Sequence, residues 1–239
     1  MTATAKERTR LGKARRELVS RAALAKLNPK ERHFDPIDVL RTSTEGRMPQ
    51  LLPVKYARMK VSPFAFFRGA VSIMASDLGR LANSGLHVQL CGDAHVQNLG
   101  SFATPDGKVV FDLNDFDETI RGPWEWDVKR MATSIVLAGE ESGHDRSGCG
   151  DAAEMFAESY CRFVGEFSEL PILQVVYFNP RCSAFIASLS VASHRPTCGS
   201  PLRSRVRFAR SQLYGFSAEV VLTCKCRAAR AHWHPASLL

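Results

Sequence analysis

Residues 90–127 read LCGDAHVQNLGSFATPDGKVVFDLNDFDETIRGPWEWD and hold the densest group of acidic, amide and imidazole side chains in this 239-residue chain. The segment that leads into this stretch, His87-Val88-Gln89-Leu90, alternates in polarity as a half-buried strand does. The run Lys108–Asp112 is β-branched and follows the turn signal Pro105-Asp106-Gly107, which predicts a hairpin. We therefore expect a strand, a polar loop, a hairpin and a second polar loop, with both loops at the same end of a small sheet.

The two polar loops, Gly92–Asn98 and Asn114–Glu118, would bring several carboxylates together. Such a cluster is repulsive unless a cation lies among its members, and Asp and Asn oxygens suit Mg²⁺ or Mn²⁺ better than zinc. An EF-hand starting at Asp112 is excluded, because Asp117 occupies the position that needs glycine. The pattern favours a Mg²⁺ site that also holds substrate phosphates. The alternative is a hairpin with solvated acidic turns.

Three features of this region resemble motifs of kinase-like phosphotransferases. Gly92-Asp93-Ala-His-Val-Gln-Asn98 resembles their catalytic loop, with an Asn five residues after the Asp. Asp115-Phe116-Asp117 resembles the Asp-Phe motif that binds metal after a hairpin. Asp127 lies twelve residues after Asp115, where the aminoglycoside phosphotransferase group carries a further Asp.

Longer segments resemble the bacterial DUF2252 family, an uncharacterised family that is grouped with the kinase-like superfamily. The segments are SPFAFFRGA (62–70), CGDAHVQN (91–98) and FDLNDFDETIRGPWEWDVKR (111–130). The resemblance covers roughly Asp35 to Tyr177. It implies an α/β (α+β) fold of the protein-kinase-like phosphotransferase type.

The resemblance also implies roles for individual residues. Asp93 would be the catalytic base that orients or deprotonates an acceptor hydroxyl, while Asn98 and Asp115 would hold Mg²⁺ (or Mn²⁺) against the phosphates of ATP. Asp127 would brace the catalytic loop from a helix. Carboxylates that could support the metal ligands are Asp112 and Asp117.

Arg68 and His95 are candidates for contact with the nucleotide. A buried ion pair is an equal explanation for Arg68, and packing within its own loop is an equal explanation for His95. The nucleotide-binding lysine of a kinase-like fold is not identified, and the basic candidates are Lys55, Lys60 and Arg68. The chain has no Walker sequence and no G-x-G-x-x-G loop before Asp93. Cys91 stands where kinases carry histidine, two residues before the base.

Helices are predicted on both sides of the central region. Residues 1–34 form a basic helical arm, and Asp35 with Pro36 starts the next helix. Two prolines make residues 47–59 extended. Ser62 caps a helix that runs to Leu78, with Phe64, Phe66 and Phe67 in the core. After the centre we expect helices over 124–138, ending at Gly139, and over 151–167, with Trp124 and Trp126 as packing anchors.

Residues 181–239 contain nine Lys/Arg and one acid, so the net charge of +8 resides in this tail. Nucleic-acid binding through the arginines is one interpretation. A zinc site formed by Cys224, Cys226, His232 and His234 is a second, although the spacings are tighter than in the usual zinc finger. The interpretation we favour is a shifted reading frame or a truncated gene, because such acid-poor sequence rich in Arg, Ser, Ala and Cys is typical of an alternative frame of GC-rich DNA.

We therefore expect a basic arm (1–34), a partial DUF2252-like domain (35–178) that is incomplete at its C-terminus, and a basic tail (179–239). The expected function is Mg²⁺-dependent transfer of the γ-phosphate of ATP to a hydroxyl of an unknown small-molecule or protein acceptor. The alternatives are an inactive metal- or nucleotide-binding protein and a basic nucleic-acid-binding protein. Seven cysteines, no export signal and no run of 18 apolar residues point to a cytoplasmic protein with reduced thiols.

Overall fold

The fold is given by a computed structural model, which describes residues 4–27, 32–103, 107 and 109–176. The predictions for the basic tail lie outside the described residues. Short 3₁₀ turns cover Pro49–Leu51 and Val96–Asn98. In chain order the helices are α1 (Ala5–Leu18), α2 (Arg21–Leu24), α3 (Pro36–Thr42), α4 (Leu52–Met59), α5 (Pro63–Gly69), α6 (Val71–Leu78), α7 (Glu125–Glu141), α8 (Arg146–Ser168) and α9 (Ile172–Val176).

The described strands form two antiparallel pairs rather than one sheet. They are β1 (His87–Leu90), β2 (Leu99–Ala103), β3 (Val109–Leu113) and β4 (Ile120–Pro123). Strand β1 pairs with β4, and β2 pairs with β3 as the predicted hairpin. The mixture of helices with small sheets confirms the α+β class. Strand β4 was not predicted, because its four residues carry no alternation in polarity.

The main core surrounds α7. Val136 and Ala138 of this helix are fully buried, and Phe64 of α5 and Cys149 of α8 belong to the same apolar cluster. A second cluster joins α3, α4 and α6 through Leu40, Met59, Ala70 and Ile73. Helices α3, α4 and α6 thus share the second cluster, while α5 packs into the main core with α7 and α8.

The two predicted helix starts are confirmed. The Asp35 carboxylate accepts a hydrogen bond from the Ile37 N–H at 2.8 Å, and the Ser62 hydroxyl accepts one from the Ala65 N–H at 3.0 Å. A proline follows each cap, at the position where a helix needs no N–H donor.

Residues 47–59 are not extended, contrary to the prediction. They form the 3₁₀ turn and α4, because Pro49 and Pro53 both fall in first turns, which tolerate proline. The predicted single helix from Ser62 to Leu78 is also wrong, since the chain breaks at Ala70 (φ −110°, ψ 30°). Phe66 is 43% exposed instead of lying in the core.

Both later helices extend further than predicted. Helix α7 continues past the buried Gly139 to Glu141, and α8 begins at Arg146, capped by Asp145, instead of at Asp151. The Trp124 ring stacks on Tyr160 at 5.9 Å, which confirms it as a packing residue. Within the described part of the chain, no helix is both long and apolar enough to span a membrane.

Candidate active site

The two polar loops meet, as their sequence positions predict. The Asn114 N–H donates to the Asn98 carbonyl at 2.9 Å, and the Cys91 thiol donates to the Asp115 carbonyl at 3.2 Å. Burial, with the nearby Asp127 carboxylate, raises the pKa of the Cys91 thiol to about 11, so it stays a protonated donor. The thiol therefore provides a contact between the end of β1 and the second loop.

Gly92 permits the close approach of these loops. Its φ is +87°, and a Cβ on this residue would lie 1.9 Å from the Glu118 carbonyl oxygen. No side chain fits there, and the left-handed backbone is itself unfavourable for other residues. The glycine before Asp93 is thus needed both for the turn and for contact with the second loop.

Asp127 holds the first loop from the first turn of α7. Its two carboxylate oxygens accept hydrogen bonds from the backbone N–H groups of Cys91 at 2.7 Å and Gly92 at 3.1 Å. Burial raises the Asp127 pKa, and these two backbone bonds oppose the shift. Asp127 therefore ties the backbone just before Asp93 to the start of α7.

Asp93 is paired with Arg130, a residue that the sequence reasoning missed. The Arg130 Nε donates to Asp93 Oδ1 at 2.6 Å, and one terminal nitrogen of Arg130 contacts the same oxygen. That terminal nitrogen also donates to the Phe67 carbonyl at 3.2 Å, and the guanidinium lies 4.3 Å from the Phe67 ring centroid. Arg130 is 2% exposed. The available signal was an arginine directly before the uncharged, mostly apolar segment 131–138.

His95 lies behind Asp93 and does not line the cavity described below. It is 2% exposed, its Nε2 is 3.6 Å from Asp93 Oδ2, and its ring meets the edge of Phe64 with centroids 6.3 Å apart. Burial lowers the His95 pKa to about 4, although the Asp93 charge opposes this. The imidazole is therefore neutral at pH 7 and packs within its own loop.

A cavity of about 590 Å³ opens beside Asp93. Its volume lies within the usual range for ligand sites. Leu90, Ile120 and Trp126 supply an apolar part of the lining, so Trp126 faces the cavity and is not only a packing anchor. The charged lining residues are the basic Arg47, Lys55 and Arg68 and the acidic Asp93, Asp117, Glu118 and Asp127.

The predicted metal residues lie next to this cavity but do not line it. The Asn98 amide donates to the Asp93 carbonyl at 2.9 Å, while Asp115 is exposed and accepts from the Asp117 N–H at 3.3 Å. Asp112 is exposed and accepts a bond from the Leu113 N–H at 2.8 Å. Among the described residues, no three His, Cys, Asp or Glu side chains are grouped closely enough to hold a metal ion by themselves.

Comparison with protein families assigns the chain. Residues 47–224, more than half of its length, match the family described as "Uncharacterized protein conserved in bacteria (DUF2252)". The chain belongs to the DUF2252 family. The match to DUF2252 begins later than the predicted limit at Asp35 and ends well beyond Tyr177, so it includes much of the basic tail. No curated protein and no solved structure matched the chain.

Proposed function

We propose that this DUF2252 protein is a Mg²⁺-dependent phosphotransferase with a kinase-like fold, which moves the γ-phosphate of ATP to a hydroxyl of a small-molecule or protein acceptor. The observation that carries the proposal is the division of charge in the cavity. Basic side chains from α4, α5 and the segment before α4 face carboxylates from the two loops. Phosphoryl transfer needs cations that neutralise phosphates and a positioned carboxylate near the acceptor.

Asp93 is the carboxylate that would receive the acceptor hydroxyl. Arg130 is bonded to Oδ1, and Oδ2, which lies 3.6 Å from the His95 Nε2, would be the oxygen that accepts a hydrogen bond from a substrate. The Asp93 side chain retains 19% exposure and lines the cavity. Its role would be to orient the hydroxyl and to accept its proton as the phosphate transfers.

The side chains near Asp93 suit Mg²⁺ by their chemistry. Carboxylate and amide oxygens are its preferred protein ligands, and Mg²⁺ at phosphate sites is held by one or two carboxylates together with substrate phosphates and water. Asn98 and Asp115 would supply the protein ligands, and the bound ion would neutralise phosphate charge.

The first test is a thermal-shift titration with ATP, with and without Mg²⁺, on wild type and Asp115→Ala. A ligand that binds only the folded state raises Tm by mass action. At a ligand concentration a hundredfold above Kd, it adds about 2.7 kcal/mol to the free energy of unfolding. We expect a Mg²⁺-dependent rise that is lost in Asp115→Ala. A cooperative transition with no response to nucleotide would refute the proposal.

Turnover is tested separately with Asp93→Asn. This variant keeps the shape of the side chain and should still bind Mg·ATP. We expect it to lose transfer of label from γ-labelled ATP to the small molecules and proteins of a bacterial extract. Transfer that persists in Asp93→Asn would exclude Asp93 as the catalytic residue.

The second candidate is a nucleotide-binding protein without turnover. The Asp93–Arg130 pair favours it, because Arg130 occupies an oxygen of the carboxylate that would otherwise receive the acceptor hydroxyl. This candidate predicts the same Mg·ATP thermal shift, with no label transfer in wild type that depends on Asp93.

A further inference from the structure

Most carboxylates of the cavity are already balanced. Asp93 is paired with Arg130, and the two oxygens of Asp127 are bonded to backbone N–H groups. The Glu118 carboxylate lies 3.7 Å from the nearest guanidinium nitrogen of Arg47. Ion pairs and backbone hydrogen bonds within the protein thus satisfy most carboxylates that line the cavity.

Two cations of the lining are not balanced in this way. Lys55 and Arg68 make no ion pair with any carboxylate of the described residues, although both face the cavity. They come from different helices, Lys55 from α4 and Arg68 from the last turn of α5. Lys60, the other lysine considered from the sequence, does not line the cavity.

Arg130 connects Arg68 to the catalytic loop. One guanidinium nitrogen of Arg130 contacts both Asp93 and the carbonyl of Phe67, the residue before Arg68. Because Arg130 is almost fully buried, this contact fixes the backbone at the end of α5 relative to Asp93. An anion held by Arg68 would therefore lie beside the carboxylate proposed to receive the acceptor.

We propose that Lys55 and Arg68 together form a subsite for a chain of two or more phosphates, and that Lys55 is the nucleotide-binding lysine that the sequence left unassigned. A lysine contributes a compact point charge, and an arginine contributes a planar fork that binds phosphate oxygens in pairs. Two unbalanced cations in one cavity would attract a polyphosphate more strongly than a single phosphate. The inference deepens the proposed function, but the phosphate subsite itself requires neither ATP turnover nor Mg²⁺.

Binding of sodium tripolyphosphate without Mg²⁺, measured by calorimetry at constant ionic strength, tests the subsite. The variants are Lys55→Ala and Arg68→Ala, and the matched controls are Lys60→Ala and Arg58→Ala, which remove the same charge outside the cavity lining. Each cavity variant should raise Kd about tenfold or more, equivalent to about 1.4 kcal/mol of binding free energy, because each removes a charged hydrogen-bond donor to the phosphates. The controls should change Kd less than about twofold.

Three outcomes would overturn the subsite. The first is an equal loss of affinity in the cavity and control variants, which would indicate non-specific attraction to a basic chain. The second is the absence of tripolyphosphate binding to the folded wild type. The third is an affinity for Mg·ATP that neither cavity variant changes. In the last case the proposed function would stand without the subsite. Conversely, tripolyphosphate binding that depends on Lys55 and Arg68, with no response to Mg·ATP, would support the subsite and refute the proposed function.

Discussion

Arg130→Met is the substitution that tests the central contact of the site most directly. Methionine is shorter than arginine, but it keeps an unbranched apolar stem in place of the arginine methylenes and removes the guanidinium. Asp93 then loses its ion pair, and the Phe67 carbonyl loses the Arg130 donor. The substitution also removes the cation from the Phe67 ring.

The expected cost follows from the burial of the pair. Removing one partner of a buried ion pair costs about 3–5 kcal/mol, because the other charge is left uncompensated. The Asp93 side chain retains 19% exposure and faces the cavity, so water can reach the freed carboxylate. We therefore expect the lower end of the range, about 3 kcal/mol, which corresponds to a fall in Tm of roughly 6–12 °C for a domain of this size.

Urea unfolding followed by circular dichroism measures this cost, with Arg41→Met as the control. Arg41 pairs with Asp38 on an exposed surface, and its loss should change the free energy of unfolding by less than about 0.5 kcal/mol. In the double variant with Asp93→Asn, about 2 kcal/mol of the Arg130→Met cost should be recovered, because no unpaired carboxylate remains. An Arg130→Met cost below about 1 kcal/mol, or full additivity with Asp93→Asn, would refute the reasoning.

Three further substitutions test the loops and a helix start. The pKa of His95 in the folded protein is about 4, below its ordinary 6.5. Between pH 6.5 and pH 4 unfolding therefore takes up a proton, and the free energy of unfolding should fall by up to about 3 kcal/mol as the pH drops through this range. His95→Gln should remove this part of the pH dependence in urea titrations. Gly92→Ala should cost more than Gly107→Ala by urea unfolding, because both have positive φ but only the former meets the Glu118 carbonyl. Ser62→Ala should cost about 1 kcal/mol in the same assay through loss of the α5 cap.

Each of these predictions has an outcome that contradicts it. An identical pH dependence in wild type and His95→Gln would show that the imidazole is not held neutral in the folded state. Equal costs for the two glycine substitutions would mean that backbone strain, and not the contact between loops, decides the effect. A neutral Ser62→Ala would show that packing alone sets the start of α5.

Local signals in the sequence predicted the features that depend on neighbouring residues. The starts of α3 and α5 were predicted because each cap bonds an N–H group two or three residues away. The prolines at 49 and 53 were misread, since proline disfavours a helix interior but suits a first turn. Which of these applies depends on where the helix begins, and the prolines by themselves do not specify that position.

Contacts between distant residues required the tertiary structure. The Arg130–Asp93 bond joins positions 37 residues apart, and the β1–β4 pairing joins segments separated by the hairpin. The sequence alone determined that two acidic loops would meet, because a hairpin returns the chain to the same end. Only tertiary packing decided which charges face the cavity, since this depends on how the helices α4, α5 and α7 lie against the loops. For that reason the place of Lys55 and Arg68 in the cavity lining and the pairing of Arg130 with Asp93 follow from the structure and not from the sequence.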